Sequence, residues 1–127
     1  MAVRIEKYES ILEQLRNNGK PYWKVNKDEV NYAVFSAYCD SKARNQDKLD
    51  ISGSFWGNDI PAMVEAMKAE GVREFTVSDS RCGIAEILAV FEDNGAKLAG
   101  LTQINSGSCD FETGQPEMIP AFLMRLQ

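Results

Sequence analysis

Apolar residues recur at helical spacing from the start of the chain. Ile5, Tyr8, Ile11, Leu12 and Leu15 fall on one face, with Glu, Lys, Gln and Arg side chains opposite. Asn17-Asn18-Gly19 followed by Pro21 is a helix ending, because Asn and Gly tolerate the left-handed turn and proline cannot continue the ladder. A second helix is predicted to open at Asn26. Its side chain is spaced to accept from the backbone N–H of Glu29 while Glu29 reaches back, with Val25 and Val30 set as a hydrophobic staple. Val30, Ala33, Val34, Ala37 and Tyr38 form its stripe, and Tyr32, Phe35 and Cys39 lie off it, so the helix is expected to be packed on two sides.

Residues 45–58 read as a long connection whose polarity is interrupted by Ile51 and Phe55-Trp56. Such residues either pin a loop to the core or, for the aromatic pair, anchor a partner. The pattern then becomes regular. Ile60, Val64 and Met67 mark a helix with Pro61 in its first turn and Gly71 as its C-terminal cap. Phe75 and Val77 alternate with Glu74, Thr76 and Ser78 as a strand. Ile84, Ile87, Leu88 and Phe91 mark a further helix closed by Asn94-Gly95, and Leu98 to Ile104 alternate as a second strand. Strand, helix and strand in this order predict a parallel βαβ unit. Residues 106–115 read as a Ser- and Gly-rich loop. Residues 118–126 read as a last antiparallel strand, with Pro120 arguing that it begins at a sheet edge. The expected fold is one α/β domain spanning 1–127: a small mixed sheet of three or four strands with a βαβ unit, covered by about four helices.

Composition adds limits. Apolar residues make up 44% and charged residues 26%, as in ordinary globular domains, and no apolar run is long enough to span a bilayer. The first residues lack the basic-then-apolar order of a signal peptide, and three widely spaced cysteines, Cys39, Cys82 and Cys109, make neither a disulfide framework nor close zinc-ligand pairs. A cytoplasmic protein with reduced thiols is the expectation. The net charge of −5 is unevenly distributed. Residues 1–56 hold nine basic and eight acidic side chains, whereas residues 57–127 hold five and eleven. The acidic half is unsuited to phosphate contacts, so no direct nucleic-acid partner is expected; the charge either meets a basic partner surface, mimics DNA or simply keeps a small protein soluble. The chain has no histidine, which removes Ser-His-Asp and Cys-His catalysis and every His-ligated metal site.

Chemistry is most concentrated at the strand-to-helix junction Ser78-Asp79-Ser80-Arg81-Cys82-Gly83. The carboxyl ends of strands and the N-termini of helices attract ligands, above all anions. Ser78, Asp79 and Ser80 are suited to capping the helix, Arg81 to holding an anion, and Cys82 to having its thiolate favoured. With one glycine in the loop, neither a phosphate-binding loop nor a dinucleotide fingerprint is present. Asp79, Cys82, Cys109 and Asp110 match no metal-ligand spacing, and no metal or cofactor is expected.

Four stretches carry a resemblance. Asn-Gly-Lys-Pro-Tyr-Trp-Lys-Val-Asn at 18–26, Asn-Tyr-Ala-Val-Phe-Ser-Ala-Tyr at 31–38, Gly-Val-Arg-Glu-Phe-Thr-Val-Ser at 71–78 and Ile-Pro-Ala-Phe at 119–122 resemble a group of small proteins of unknown function. That group is associated with plasmids, conjugative elements and phages of Gram-positive gut bacteria. It carries no catalytic motif, so no site residue transfers from it. The resemblance implies an accessory protein that binds host machinery, including an anti-CRISPR or other anti-defence inhibitor of a nuclease. Phe55 and Trp56, with the carboxylates of Asp110, Glu112 and Glu117, are the candidate partner contacts. The alternative is a small-ligand or anion binder, or a minor enzyme, using residues 78–83. A homodimer through one flank of the helical layer is compatible with both.

Overall fold

The computed structural model describes residues 3–52, 57–78 and 83–126. Helix α1 (Glu6–Asn17) is followed by a 3-10 turn (Tyr22–Lys24) and helix α2 (Tyr32–Ala43). Strand β1 (Leu49–Ile51), a second 3-10 turn (Gly57–Asp59), helix α3 (Ile60–Ala69), strand β2 (Glu74–Val77) and helix α4 (Ile84–Asp93) come next. Two long strands, β3 (Ala96–Cys109) and β4 (Pro116–Leu126), complete the chain. The fold is α/β, with a four-stranded mixed sheet in the order β1-β2-β4-β3. Among the described residues no helix is long and apolar enough to cross a membrane.

The register explains how the core forms. Leu49 lies beside Phe75 and Ile51 beside Val77, and Phe75 and Val77 in turn face Met124 and Phe122. The two-residue period of a strand puts these side chains on one face, and five of the six are at most 1% exposed. Tyr8, Phe35, Tyr38, Met63, Met67 and Phe91 complete the core from the four helices. Burying a side chain of this size contributes roughly 1.5–3 kcal/mol.

Three expectations are corrected. The second helix starts at Tyr32, not just after Asn26, because Asn31 is the cap: its side chain accepts from Val34 N at 3.1 Å. Asn26 instead bonds Asp28 N at 2.9 Å, a local Asx turn that competes with helix formation. Residues 45–58 contain strand β1, so the directly paired parallel strands are β1 and β2, connected through α3. The predicted unit β2-α4-β3 exists, but β4 lies between its two strands. Pro120 is therefore in an inner strand, yet in its first half, where β4 is a local edge, as expected. It is tolerated because β4 pairs with β2 only over Phe122–Arg125, and at Pro120 one flank of β4 is unpaired. Ile51 is buried as the pinning residue it was expected to be. Phe55 and Trp56 lie outside the described residues.

Helices α1 and α2 are joined by a polar cluster at the edge of this core. The Tyr38 hydroxyl donates to Glu9 Oε1 at 2.6 Å and accepts from Ile5 N at 3.1 Å, while Lys42 Nζ pairs with the same Glu9 oxygen. Hydrogen bonds from Lys42 and Tyr38 hold the Glu9 carboxyl below its ordinary 4.5. Burial, then the bond to Glu9, pushes the Tyr38 phenol above its ordinary range. A carboxyl whose native pKa is depressed stabilises the fold fully above its unfolded value, and that contribution is lost as pH falls through the native one. Glu9→Gln is therefore expected to destabilise the protein near neutrality, with the difference from wild type shrinking in denaturation curves taken below pH 4.5.

Candidate functional site

Beyond its pairing with β2, β4 continues with β3 alone as a two-stranded arm. Residues 107–118 are all exposed. The tip is a compact turn: Asp110 Oδ1 accepts from Glu112 N at 2.7 Å and Thr113 N at 3.2 Å, and Asp110 N donates to Gln115 O at 2.8 Å. The predicted 106–115 loop is thus shorter, since β3 runs to Cys109 with register shifts at Leu98/Gly100 and Asn105/Cys109. Ser and Gly in this stretch serve irregular strand, where bulges displace the ladder.

The turn carries Asp110, Phe111 and Glu112, with Glu117 just beyond it at the start of β4; Phe111 has an exposure of 106%. Met118 is 50% exposed along the same arm, and Leu101, at its root beside Phe122, is 75% exposed. Exposed apolar side chains gathered within a polar rim mark interaction surfaces. The three carboxylates named from sequence therefore all fall, exposed, at the end of the arm that carries Phe111. Sequence reasoning passed over Phe111 because it read the segment as an unstructured loop, although a lone aromatic among polar residues was the available signal.

The arm is held to the body by a buried polar network. Asp50 is fully buried in the middle of β1, on the face opposite Leu49 and Ile51. Thr76 Oγ1 donates to its Oδ1 at 2.6 Å, and Ser78 Oγ and Arg44 Nη2 donate to its Oδ2 at 2.7 and 2.8 Å. Ser41 Oγ accepts from Asp50 N at 2.9 Å, which satisfies the outer edge of β1. Arg44 also pairs with Asp40 at 2.7 Å and donates to the Asn105 carbonyl of β3 at 3.3 Å. Burial would lower the Arg44 pKa, but the hydrogen bonds and charges of Asp50 and Asp40 outweigh it and hold it above its ordinary value. Gln46 completes the attachment: its Nε2 donates to the Asn105 carbonyl and its Oε1 accepts from Asn105 N at 3.3 Å. One amide side chain thereby does for β3 what a neighbouring strand would do. Gly107 lies under Arg44, since a Cβ there would sit 2.9 Å from Arg44 Cγ, and its φ of +91° disfavours any other residue.

Of the junction residues named from sequence, Ser78 and Gly83 are described, and Asp79, Ser80, Arg81 and Cys82 lie outside the described residues. Ser78 does not cap α4: its hydroxyl is turned to Asp50. Gly83 itself occupies the N-cap position, with φ of +86°. The space beside Ser78 is an apolar groove of about 290 Å³ lined by Val77, Ile84, Leu101, Pro120, Ala121 and Phe122. A second cavity, of about 300 Å³, lies on the helical side between Tyr22, Tyr32, Ser36, Asp40, Ile51 and Ser52. Among the described residues no cluster of Cys, Asp and Glu is arranged to hold a metal ion. Cys39 is half-buried, and burial raises its thiol to about 11, whereas Cys109 is exposed on the arm.

The fold and the arm define the class: a small α/β domain whose last two strands project as an exposed ribbon. The chain belongs to the family described as domain of unknown function DUF7698, whose pattern matches residues 33–126, from α2 to the end of β4. No curated protein and no solved structure matches it.

Asp50→Ala would leave the Arg44 guanidinium and two hydroxyls without their acceptor. It is expected to cost about 3–5 kcal/mol in urea denaturation, the range for removing one partner of a buried ion pair. Gly107→Ala is expected to cost about 1–3 kcal/mol through its backbone conformation and to raise amide exchange selectively at Asn105 and its neighbours on the arm.

Proposed function

We propose that this protein is a non-enzymatic binding module that presents the tip of its β3–β4 arm to a basic protein surface. The observation that carries the reading is Phe111, fully exposed on a hydrogen-bonded turn at the end of an arm that also exposes Asp110, Glu112 and Glu117. An aromatic anchor with few rotatable bonds gives much contact area for little ordering cost, and surrounding charges select the partner and speed encounter. Two features favour binding over catalysis. The chain has no histidine, and among the described residues at β1 and β2 the polar groups of Thr76, Ser78 and Asp50 are engaged with one another.

The resemblance to accessory proteins of mobile elements supports a narrower form of the same reading, in which the partner is a host defence nuclease and binding inhibits it. A purified panel of such nucleases, including CRISPR effectors, passed over the immobilised protein is the test. Wild type is expected to retain a member of the panel, and Phe111→Ala to weaken that binding by roughly 30-fold, the effect of losing a 2 kcal/mol hot spot. A panel that is not retained removes the nuclease reading. Retention unaffected by Phe111→Ala and by E112K/E117K removes the arm tip.

A further inference from the structure

The acidic arm tip has a counterpart on the same chain. From Arg16 to Lys27 there are four basic side chains, Arg16, Lys20, Lys24 and Lys27, and no acidic one; Asp28 and Glu29 follow. Every residue from Arg16 to Lys24 is exposed, including Trp23 at 55% and Tyr22 at 37%. In a protein of net charge −5, a basic and aromatic segment of this length is the exception. It adjoins the cavity of about 300 Å³ walled by Tyr22 and Tyr32. Lys27 Nζ stands 4.8 Å from the centre of the ring of Tyr32, one of the residues that line that cavity. Asp40, also on its wall, shares the Arg44 guanidinium with Asp50, at 2.7 and 2.8 Å, which offsets its charge in part.

We propose that the occupant of this surface is the arm tip of a second copy, giving a two-fold dimer in which the two molecules exchange arms. Phe111 of each copy enters the Tyr22–Tyr32 cavity of the other, where aromatic rings gain from edge-to-face packing beyond their buried area. Glu112 and Glu117 then face Lys24 and Lys27, so opposite charges meet in both halves of the dimer. A two-fold contact between two tips would instead set three carboxylates against three. Reciprocal exchange closes the assembly at two copies, since both complementary surfaces of each molecule are used. The inference rests on reading the arm tip as a binding surface and names its partner.

Sedimentation equilibrium over a concentration series, at low and at raised salt, tests it. Wild type is expected to dimerise, more weakly as salt is added, and Phe111→Ala to raise the dimer dissociation constant roughly 30-fold. K24E/K27E and E112K/E117K are each expected to be monomeric at concentrations where wild type is dimeric. Mixed in equal amounts they are expected to form a heterodimer, because each tip then meets a surface of opposite sign. Circular dichroism of each variant separates loss of contact from loss of fold. A wild type that stays monomeric at every concentration, or a mixture that stays monomeric, overturns the proposal. If wild type is monomeric while Phe111→Ala still abolishes retention of a nuclease, the tip's partner is that protein and the arm-tip reading survives. If wild type is monomeric and a fluorescent single-stranded oligonucleotide binds it but not K24E/K27E, the basic segment is a nucleic-acid surface and the proposal falls.

Discussion

The structure depends on a buried charge pair. Asp50 carries a carboxylate into the sheet, where an isolated ion would cost several kcal/mol, and it is tolerated because Arg44, Thr76 and Ser78 supply three donors between 2.6 and 2.8 Å. Those donors come from the end of α2 and from β2 with the residue just beyond it. Satisfying one carboxylate thus fixes the helix against the parallel strand pair. Hydrophobic contacts alone would hold these elements together with less precise alignment, because burial of apolar area is non-directional. The same guanidinium reaches Asn105, so the position of the arm is set by the group that neutralises the buried Asp50 carboxylate.

Long edge strands present unpaired backbone groups and invite association. Here β3 has fourteen residues and only β4 beside it. The Gln46 amide covers the exposed backbone at Asn105, and two register shifts break the regular edge. These features leave recognition to side chains at the tip. The arm is accordingly a lever with a fixed root and an exposed end, suited to carrying an aromatic anchor away from the body of the molecule.

Much of this was legible in the amino-acid order. Three helix endings, at Asn18-Gly19, Gly71 and Asn94-Gly95, fall where the residues place them, because each glycine adopts a positive φ that other residues avoid. The α3 start at Ile60-Pro61 and the β2 alternation are equally local. β1 was not legible, since Leu-Asp-Ile has a charged centre whose partners are six, twenty-six and twenty-eight residues away. The site was legible in part. Asp110, Glu112 and Glu117 were named for their charge, whereas Phe111 stood out only once the turn around Asp110 had turned it to solvent.

The sequence by itself determined most of the elements, three helix endings and the acidic character of the second half, and the first two are properties of residues within a few positions of one another. Tertiary structure decided the strand order, the burial of Asp50 and the projection of the arm. Those depend on contacts between distant residues: β4 inserts between β2 and β3 by pairing across both edges, and Arg44 finds its third partner sixty-one residues away. Local periodicity records which face of an element is buried, but not which other element will cover it.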